Sequence, residues 1–423
     1  MSNRKQKMQM KKYKLGELME VTRGMSLGGE FYSTKGELMR LTLGNFDYKN
    51  NCFKDDKSKD NLFFTGAVKP EFILKKDDII TPLTEQAIGL LGSTAKIPCD
   101  GKYIQSQDVA LIKCKEKLNP NFAFYLIPSK LVRNQLSAAA QQTKIRHTSP
   151  GKIKDCTVWI PEYSSQEKIG NFLSSIDKKI ALNSRINAKL EQMAKRLYDY
   201  WFVQFDFPNE NGKPYKSSGG KVAYNAELKR EIPAGWEVKN LEDVLDNAGV
   251  ATTFGEHLKN LDYCPIDEIP MRTMSFAGGK SYKEANSSLQ LYEKKDILIG
   301  AMRVYFHRCC IASKKGITRT TTIVLRPRQK EHLNYLYQVC NEENTFDFAI
   351  KVSSGTQQPY VTWNALSKYQ FAYPNNTILI KEFCDKIDNI TDRILINVRE
   401  IEKLIALRDE LLPLLMNGQV TVS

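Results

Sequence analysis

The chain has 423 residues, 42% hydrophobic and 10% aromatic, the composition of a soluble folded protein of roughly two or three domains. Its 62 Lys and Arg outnumber 48 Asp and Glu, and the resulting net charge of +14 suits a polyanionic partner. No run approaches the ~20 apolar residues of a membrane span, and nine scattered cysteines without a C-x-x-C pair, with four isolated histidines, argue for a reducing cytoplasm and against a disulfide framework or metal site.

Residues 1–12 are basic with no apolar run behind them, and read as a tail rather than a secretory signal. Residues 13–164 read as a mixed α/β module. Its short buried strands are expected at Leu38 to Leu43, Asp78 to Leu83, Asp108 to Ile112 and Thr157 to Ile160, the last stopped by Pro161. A helix is expected from Asn119 to Gln141, with Phe122, Tyr125, Leu126, Leu131 and Leu136 on one side. Ser165 then offers an N-cap for a long helix over residues 165–205. Its seam alternates four and three residues apart: Ile169, Leu173, Ile176, Ile180, Asn183, Asn187, Leu190, Ala194, Leu197 and Trp201. Residues 206–235, rich in Gly, Pro, Ser, Asn and Lys, read as a linker, and a second module fills 236–377. A second long helix over 378–417 carries Phe383, Ile387, Ile390, Ile394, Asn397, Ile401, Leu404, Leu411 and Leu415, and 418–423 is a tail. Spacing of 3.5 residues held over several heptads indicates coiled coil.

The two halves are copies. Ile176, Ile180, Asn183, Arg185, Lys189 and Leu190 recur 214 positions later as Ile390, Ile394, Asn397, Arg399, Lys403 and Leu404. Periodicity alone would align only the apolar members. Upstream, Lys75-Lys76-Asp77 resembles Lys294-Lys295-Asp296, and Ile160-Pro161 resembles Tyr373-Pro374. The fold class expected is therefore α+β: two similar α/β domains separated by two long helices packed as an antiparallel coiled coil. A buried Asn needs a partner, and Asn183 and Asn397, each near mid-helix, are expected to pair with each other.

Catalytic motifs do not assemble. Asn119-Pro120-Asn121-Phe122 resembles the N-P-P-[FY] motif of amino-methyltransferases, but no Gly-rich cofactor loop accompanies it, and a capped helix start explains it better. Gly219-Gly220-Lys221 lacks the earlier glycine of a phosphate loop. Glu227-Leu228-Lys229 and Glu237-Val238-Lys239 imitate the end of a nuclease motif, beside the linker and with no paired strand expected. No catalytic and no metal-ligating residue is assigned. Better candidates are polar loops in matched places, since Gln can bond adenine, Arg guanine, and Ser, Thr and Lys phosphates. In the first module these supply Gln105, Gln107, Gln142, Lys144, Arg146 and Thr148. In the second they supply Arg319, Thr320, Gln357, Gln358 and Tyr360, with Arg303 counted among them.

Asn211 to Gly220, followed by Ile232-Pro233-Ala234-Gly235-Trp236, resembles the central region of type I restriction–modification specificity subunits, and the similarity runs over nearly the whole chain. The first module departs from it, opening at Tyr13 to Leu18 without the I-P-x-G-W sequence. The resemblance implies two target-recognition domains, each reading half of a bipartite, asymmetric site in double-stranded DNA. The helices would act as spacer and as dock for two methyltransferase subunits and for restriction subunits. It also implies a non-catalytic chain without cofactor, with S-adenosylmethionine, ATP and Mg belonging to the partner subunits. Two rivals stay open: a methyltransferase or nuclease acting alone, and a two-module scaffold that binds only protein.

Overall fold

The computed structural model describes residues 8–422 apart from 49, 57, 86, 88, 140–145, 277 and 356. Its contacts divide the chain into two units, Met1–Lys178 with Ala406–Ser423, and Lys179–Ile405.

The first unit is organised by an antiparallel four-stranded sheet, in the order Ala95–Lys96, Ile79–Pro82, Val109–Cys114, Met19–Arg23. Successive side chains of a strand point to opposite faces, and here both faces are covered. Ile79, Ala110 and Ile112 join one core with Leu15, Leu18, Phe122 and Val158, while Ile80, Val109 and Leu111 join another with Leu41, Phe46 and Tyr103. That double burial explains why these strands read as continuous apolar runs rather than as alternation. Lys11–Lys14 pairs with Thr157–Ile160, so Lys11 and Lys12, assigned above to the tail, are strand residues. The strand expected from Leu38 to Leu43 shrinks to Met39–Arg40, in a second sheet ordered Tyr103–Ile104, Met39–Arg40, Phe63–Phe64, Tyr32–Ser33. The helix expected from Asn119 to Gln141 is two helices, Pro120–Leu126 and Lys130–Ala139, parted around Pro128. Proline has no N–H to give and its ring crowds the preceding turn.

The second unit repeats the plan. Its main sheet runs Cys309–Ile311, Ile297–Gly300, Thr322–Pro327, Leu245–Asn247. Ile297, Ile299, Ile323 and Leu325 face one core, and Leu298 and Val324 face the other. The second sheets are wired differently. Val250–Thr252, Leu289–Tyr292, Gly316–Arg319 and Asp262–Tyr263 follow in that order, so Asp262–Tyr263, parallel to its neighbour, lies at the edge, whereas Met39–Arg40, parallel to Tyr103–Ile104, lies inside the first unit's sheet. The turn before each main strand is shared, one position off the sequence match. Asp78 accepts the Lys75 N–H at 2.8 Å and Asp296 the Glu293 N–H at 2.7 Å, with Asp77 and Lys295 both left-handed. Residues 206–235 are more than a linker: Val222–Asn225 and Arg230–Pro233 form a hairpin, and Phe205, Ile232 and Ala372 pack together with Phe207 and Trp236. Glu237 and Lys239, expected without a paired strand, lie in Trp236–Asn240, which pairs with Gln370–Pro374.

The central helix spans Tyr163–Tyr198 and ends in a π-helical turn, Asp199–Val203. Ser165 is therefore inside its first turn and is not the cap. The second long helix spans Thr377–Met416. Within the second unit the two run antiparallel, since Asn183 meets Glu400 while Asn187 meets Asn397. The expected Asn183–Asn397 pair does not form. The Asn397 amide donates to Asn187 Oδ1 at 2.8 Å, and the Asn183 amide to Glu400 Oε2 at 2.8 Å. A heptad fixes which face is buried but leaves the longitudinal register open, and the actual register is displaced by one turn. Seam residues divide by location. Ile169 and Leu173 pack into the first module's core, with Leu415 and Met416, rather than into a helix–helix seam alone. Phe383, Ile387 and Ile394 likewise join the second module's core with Ala194, Tyr198 and Trp201. Ile176 is buried and Ile180, Leu190, Ile390 and Leu404 are half-buried.

Candidate nucleic-acid interface

In each module one residue ties three loops together. In the first it is Leu83, just past strand Ile79–Pro82. Its N–H donates to the Asp108 carbonyl at 2.8 Å, and its carbonyl accepts the Thr148 N–H at 2.8 Å. In the second it is Ala301, just past Ile297–Gly300. Its N–H donates to the Thr321 carbonyl and its carbonyl accepts the Val361 N–H, both at 2.9 Å. Each third loop then enters a capped helix, Ser149 Oγ accepting the Lys152 N–H and Thr362 Oγ1 the Ala365 N–H. A side-chain oxygen at this position satisfies an otherwise unpaired helical N–H. The fold thus gathers sequence-distant polar loops at the same place twice.

On the first junction, Arg146 lies opposite Glu85 and His147 opposite Thr84. The exposed Arg146 guanidinium stands 3.6 Å from the Glu85 carboxylate, which is itself buried and accepts the Gly89 N–H at 2.9 Å. Gln107 is exposed, and its carbonyl accepts from Arg23 Nε at 2.7 Å. Arg23, at the end of strand Met19–Arg23, is exposed beside it and carried no signal in the sequence. Two expectations fail. Gln105 is 1% exposed and its amide donates to the Thr22 and Val109 carbonyls at 2.8 and 3.1 Å. A buried amide is held by such bonds, so Gln105 braces the loop and does not face a ligand. The Thr148 hydroxyl is also buried, without a partner among the described residues, and does not face outward. Gln142 and Lys144 lie outside the described residues.

On the second junction, Arg303 donates its N–H to the Pro359 carbonyl at 2.7 Å, Thr320 its N–H to the Ser288 carbonyl at 2.9 Å, and the Tyr360 hydroxyl lies 3.5 Å from the Thr320 carbonyl. Arg303, Arg319, Thr320, Gln357 and Gln358 are exposed and Tyr360 is half-buried. All six second-module candidates therefore come together, and Tyr305, 51% exposed and unforeseen, lies in the turn that follows Arg303. Close behind them His307 is 3% exposed, with Nε2 3.0 Å from Asn341 Oδ1. Burial holds its imidazole below the usual value, opposed by that Asn341 bond. The second junction thus presents arginines, amides and hydroxyls in one patch, the side-chain types that contact phosphates and base edges.

Asn119, the one methyltransferase-like feature, caps the helix Pro120–Leu126, its Oδ1 accepting the N–H groups of Asn121 and Phe122 at 2.9 and 3.2 Å. Among the described residues no group of three or more His, Cys, Asp or Glu could hold a metal ion, and no helix is long and apolar enough to cross a membrane.

The chain matches the model of the type I restriction modification DNA specificity domain twice, over residues 8–192 and 233–404. It is 25% identical to the type I restriction enzyme MjaIX specificity subunit of Methanocaldococcus jannaschii over 330 residues, 73% of this chain and 71% of the relative. To the HindI specificity subunit of Haemophilus influenzae it is 24% identical over 361 residues, 71% of this chain and 77% of that one. Its fold is similar to that of the type I restriction-modification S subunit from M. genitalium, with a TM-score of 0.56 and 14% identity across 98% of each chain. The two family matches cover both modules and most of both helices, so the chain belongs to the type I restriction–modification DNA specificity family.

Proposed function

We propose that this chain is the DNA-recognition subunit of a type I restriction–modification complex, each module reading one half of a bipartite, asymmetric duplex target. The observation that carries the reading is the three-loop junction built twice, around Leu83 and around Ala301, with exposed Arg146, Gln107 and Arg23 on one and Arg303, Arg319, Gln357 and Gln358 on the other. Two equivalent polar patches on one chain suit two half-sites. Phosphate contacts from the arginines would set position, and amide and guanidinium contacts to base edges would set sequence. The net charge of +14 supports a salt-sensitive component of binding.

The helices serve as spacer between the half-sites and as dock for two methyltransferase subunits and for restriction subunits. In this reading the chain is non-catalytic and holds no cofactor. S-adenosylmethionine, ATP and Mg are bound by the partners, and the complex works in the cytoplasm.

The test is binding of purified chain, with and without its methyltransferase partner, to its target duplex against a large excess of random duplex. Selective, salt-dependent binding supports the reading. S-adenosylmethionine binding or DNA cleavage by the chain alone would favour an enzyme, and no DNA binding in any combination would favour a protein-only scaffold.

A further inference from the structure

The turn after strand Ile297–Gly300 adopts an uncommon backbone. Arg303 (φ 50°, ψ 54°) and His307 (φ 49°, ψ 62°) are both left-handed, and they bracket a single 3-10 turn, Val304–Phe306. Residues with side chains enter that region rarely, histidine more readily than arginine. Glycine enters that region without steric cost, yet neither position holds one.

The strained backbone is held from several directions. The Arg303 N–H donates to Pro359, the Phe306 N–H to Arg303 at 2.9 Å, and the His307 N–H to Val304 at 3.0 Å. Val304 is 1% exposed. The His307 ring stacks on Phe346 at 3.8 Å between centroids and is bonded to Asn341. The two side chains of the turn left exposed are Arg303 and Tyr305, a cation and an aromatic ring with a hydroxyl, and the Arg303–Pro359 bond ties the turn to the loop of Tyr360, whose hydroxyl lies 3.5 Å from the Thr320 carbonyl. Strain over-determined by its surroundings, with such groups at its tip, is a pattern of functional sites. The corresponding loop of the first module, Leu83 to Thr94, contains no aromatic residue.

We propose that Arg303–His307 is a rigid reading head that sets Tyr305 against a base edge of the second half-site, with His307 as its positioning residue. The inference rests on the DNA-recognition reading above and deepens it. Rigid presentation matters because an aromatic side chain ordered in advance loses little freedom on binding. His307, 3% exposed, acts only through the backbone it fixes, so it supports Tyr305 and does not itself touch DNA.

The experiment uses the complex with its methyltransferase partner, its target first read from the methylated motif. Affinities are measured for the target duplex and for duplexes changed one base pair at a time in either half. Tyr305→Ala should weaken target binding roughly tenfold and flatten discrimination at one or two adjacent positions of the second half. The first half and the melting temperature should stay as in wild type. His307→Ala should flatten the same positions, His307→Asn, which tolerates left-handed backbone, should restore much of the discrimination, and the Tyr305→Ala/His307→Ala double variant should lose no more than Tyr305→Ala. A selective wild type with Tyr305→Ala equally selective would overturn this inference alone. A wild-type complex with no preference for any target would overturn the DNA-recognition reading, and this inference with it.

Discussion

Replacing Asn187 by Leu should destabilise the chain, and replacing Asn397 as well should undo most of that loss. Asn397 is 0% exposed and Asn187 7% exposed, and a 2.8 Å bond from the Asn397 amide N–H to Asn187 Oδ1 joins them, Asn397 Oδ1 having no partner among the described residues. Either single change leaves one amide buried and unpaired, at a cost of about 1–3 kcal/mol, partly offset by the added apolar side chain. Removing both leaves no orphan and puts two leucines in a largely apolar seam, which is close to neutral. The coupling should therefore be about 1–2 kcal/mol, with the double variant more stable than the sum of the singles predicts. The partner of Asn183 is the Glu400 carboxylate, which also lies 3.4 Å from Lys179. Asn183→Leu should thus add to Asn397→Leu within about 0.5 kcal/mol, as independent sites do. Urea unfolding of the four variants of each cycle, followed by helical circular dichroism, gives both numbers. Coupling between residues 183 and 397, with none between 187 and 397, would refute the register described here.

Glu191, in the central helix, stands where the repeat has Ile405. Burial pushes its carboxyl up to about 7, against a bond from the Met274 backbone. A folded-state value above the unfolded one means that stability is fully present below the unfolded value and is lost as pH rises through about 7. Glu191→Gln should therefore be more stable than wild type by about 1–2 kcal/mol at pH 8, a discount on 1.36 kcal/mol per unit for partial solvation. At pH 4.5 the difference should nearly vanish, and melting curves at the two pH values would show it. On the DNA side, Arg146→Ala should cost about 1–3 kcal/mol and relax one position of the first half-site if it meets a base, whereas Lys144→Ala should weaken all sequences alike and reduce the salt slope by about one unit. Unchanged binding in both variants, at two salt concentrations, would put the DNA on another loop. Adding one heptad to both long helices keeps the seam in phase and lengthens each by ~10 Å. The gap between methylated half-sites should grow by a few base pairs with the half-sequences unchanged, and an unchanged gap would remove the spacer role.

Much of the architecture could be read from the chain, because burial writes itself into pattern. Thr157 to Ile160 is bounded correctly by its apolar run and by Pro161, and the runs Asp78 to Leu83 and Asp108 to Ile112 locate the strands Ile79–Pro82 and Val109–Cys114, since both sheet faces are covered, with Lys113 and Cys114 beyond the expected end. What escaped depends on partners far along the chain. The hairpin inside 206–235 was hidden by turn-rich composition, its few apolar residues being stabilised by Ala372, about 140 residues away. The register of Asn183 and Asn397 was lost because periodicity sets a face and not a height. Gln105 looked like a reading residue because polarity in a loop says nothing about whether the side chain turns inward. Matched loops in the two modules did point to the candidate surface, and the Leu83 and Ala301 junctions bring most of their members together. Arg23 and Tyr305 gave no local signal, since one reaches the surface from a strand end and the other from a left-handed turn visible only in the backbone.

The most direct test of two modules reading two half-sites is an exchange of residues 236–376 for the equivalent module of a relative, followed by sequencing of host methylation. The exchanged segment contains the whole Ala301 junction and none of the Leu83 junction. One half of the methylated motif should change to that of the donor, with the other half and the gap retained. A motif altered in both halves, or unaltered in either, would contradict the account.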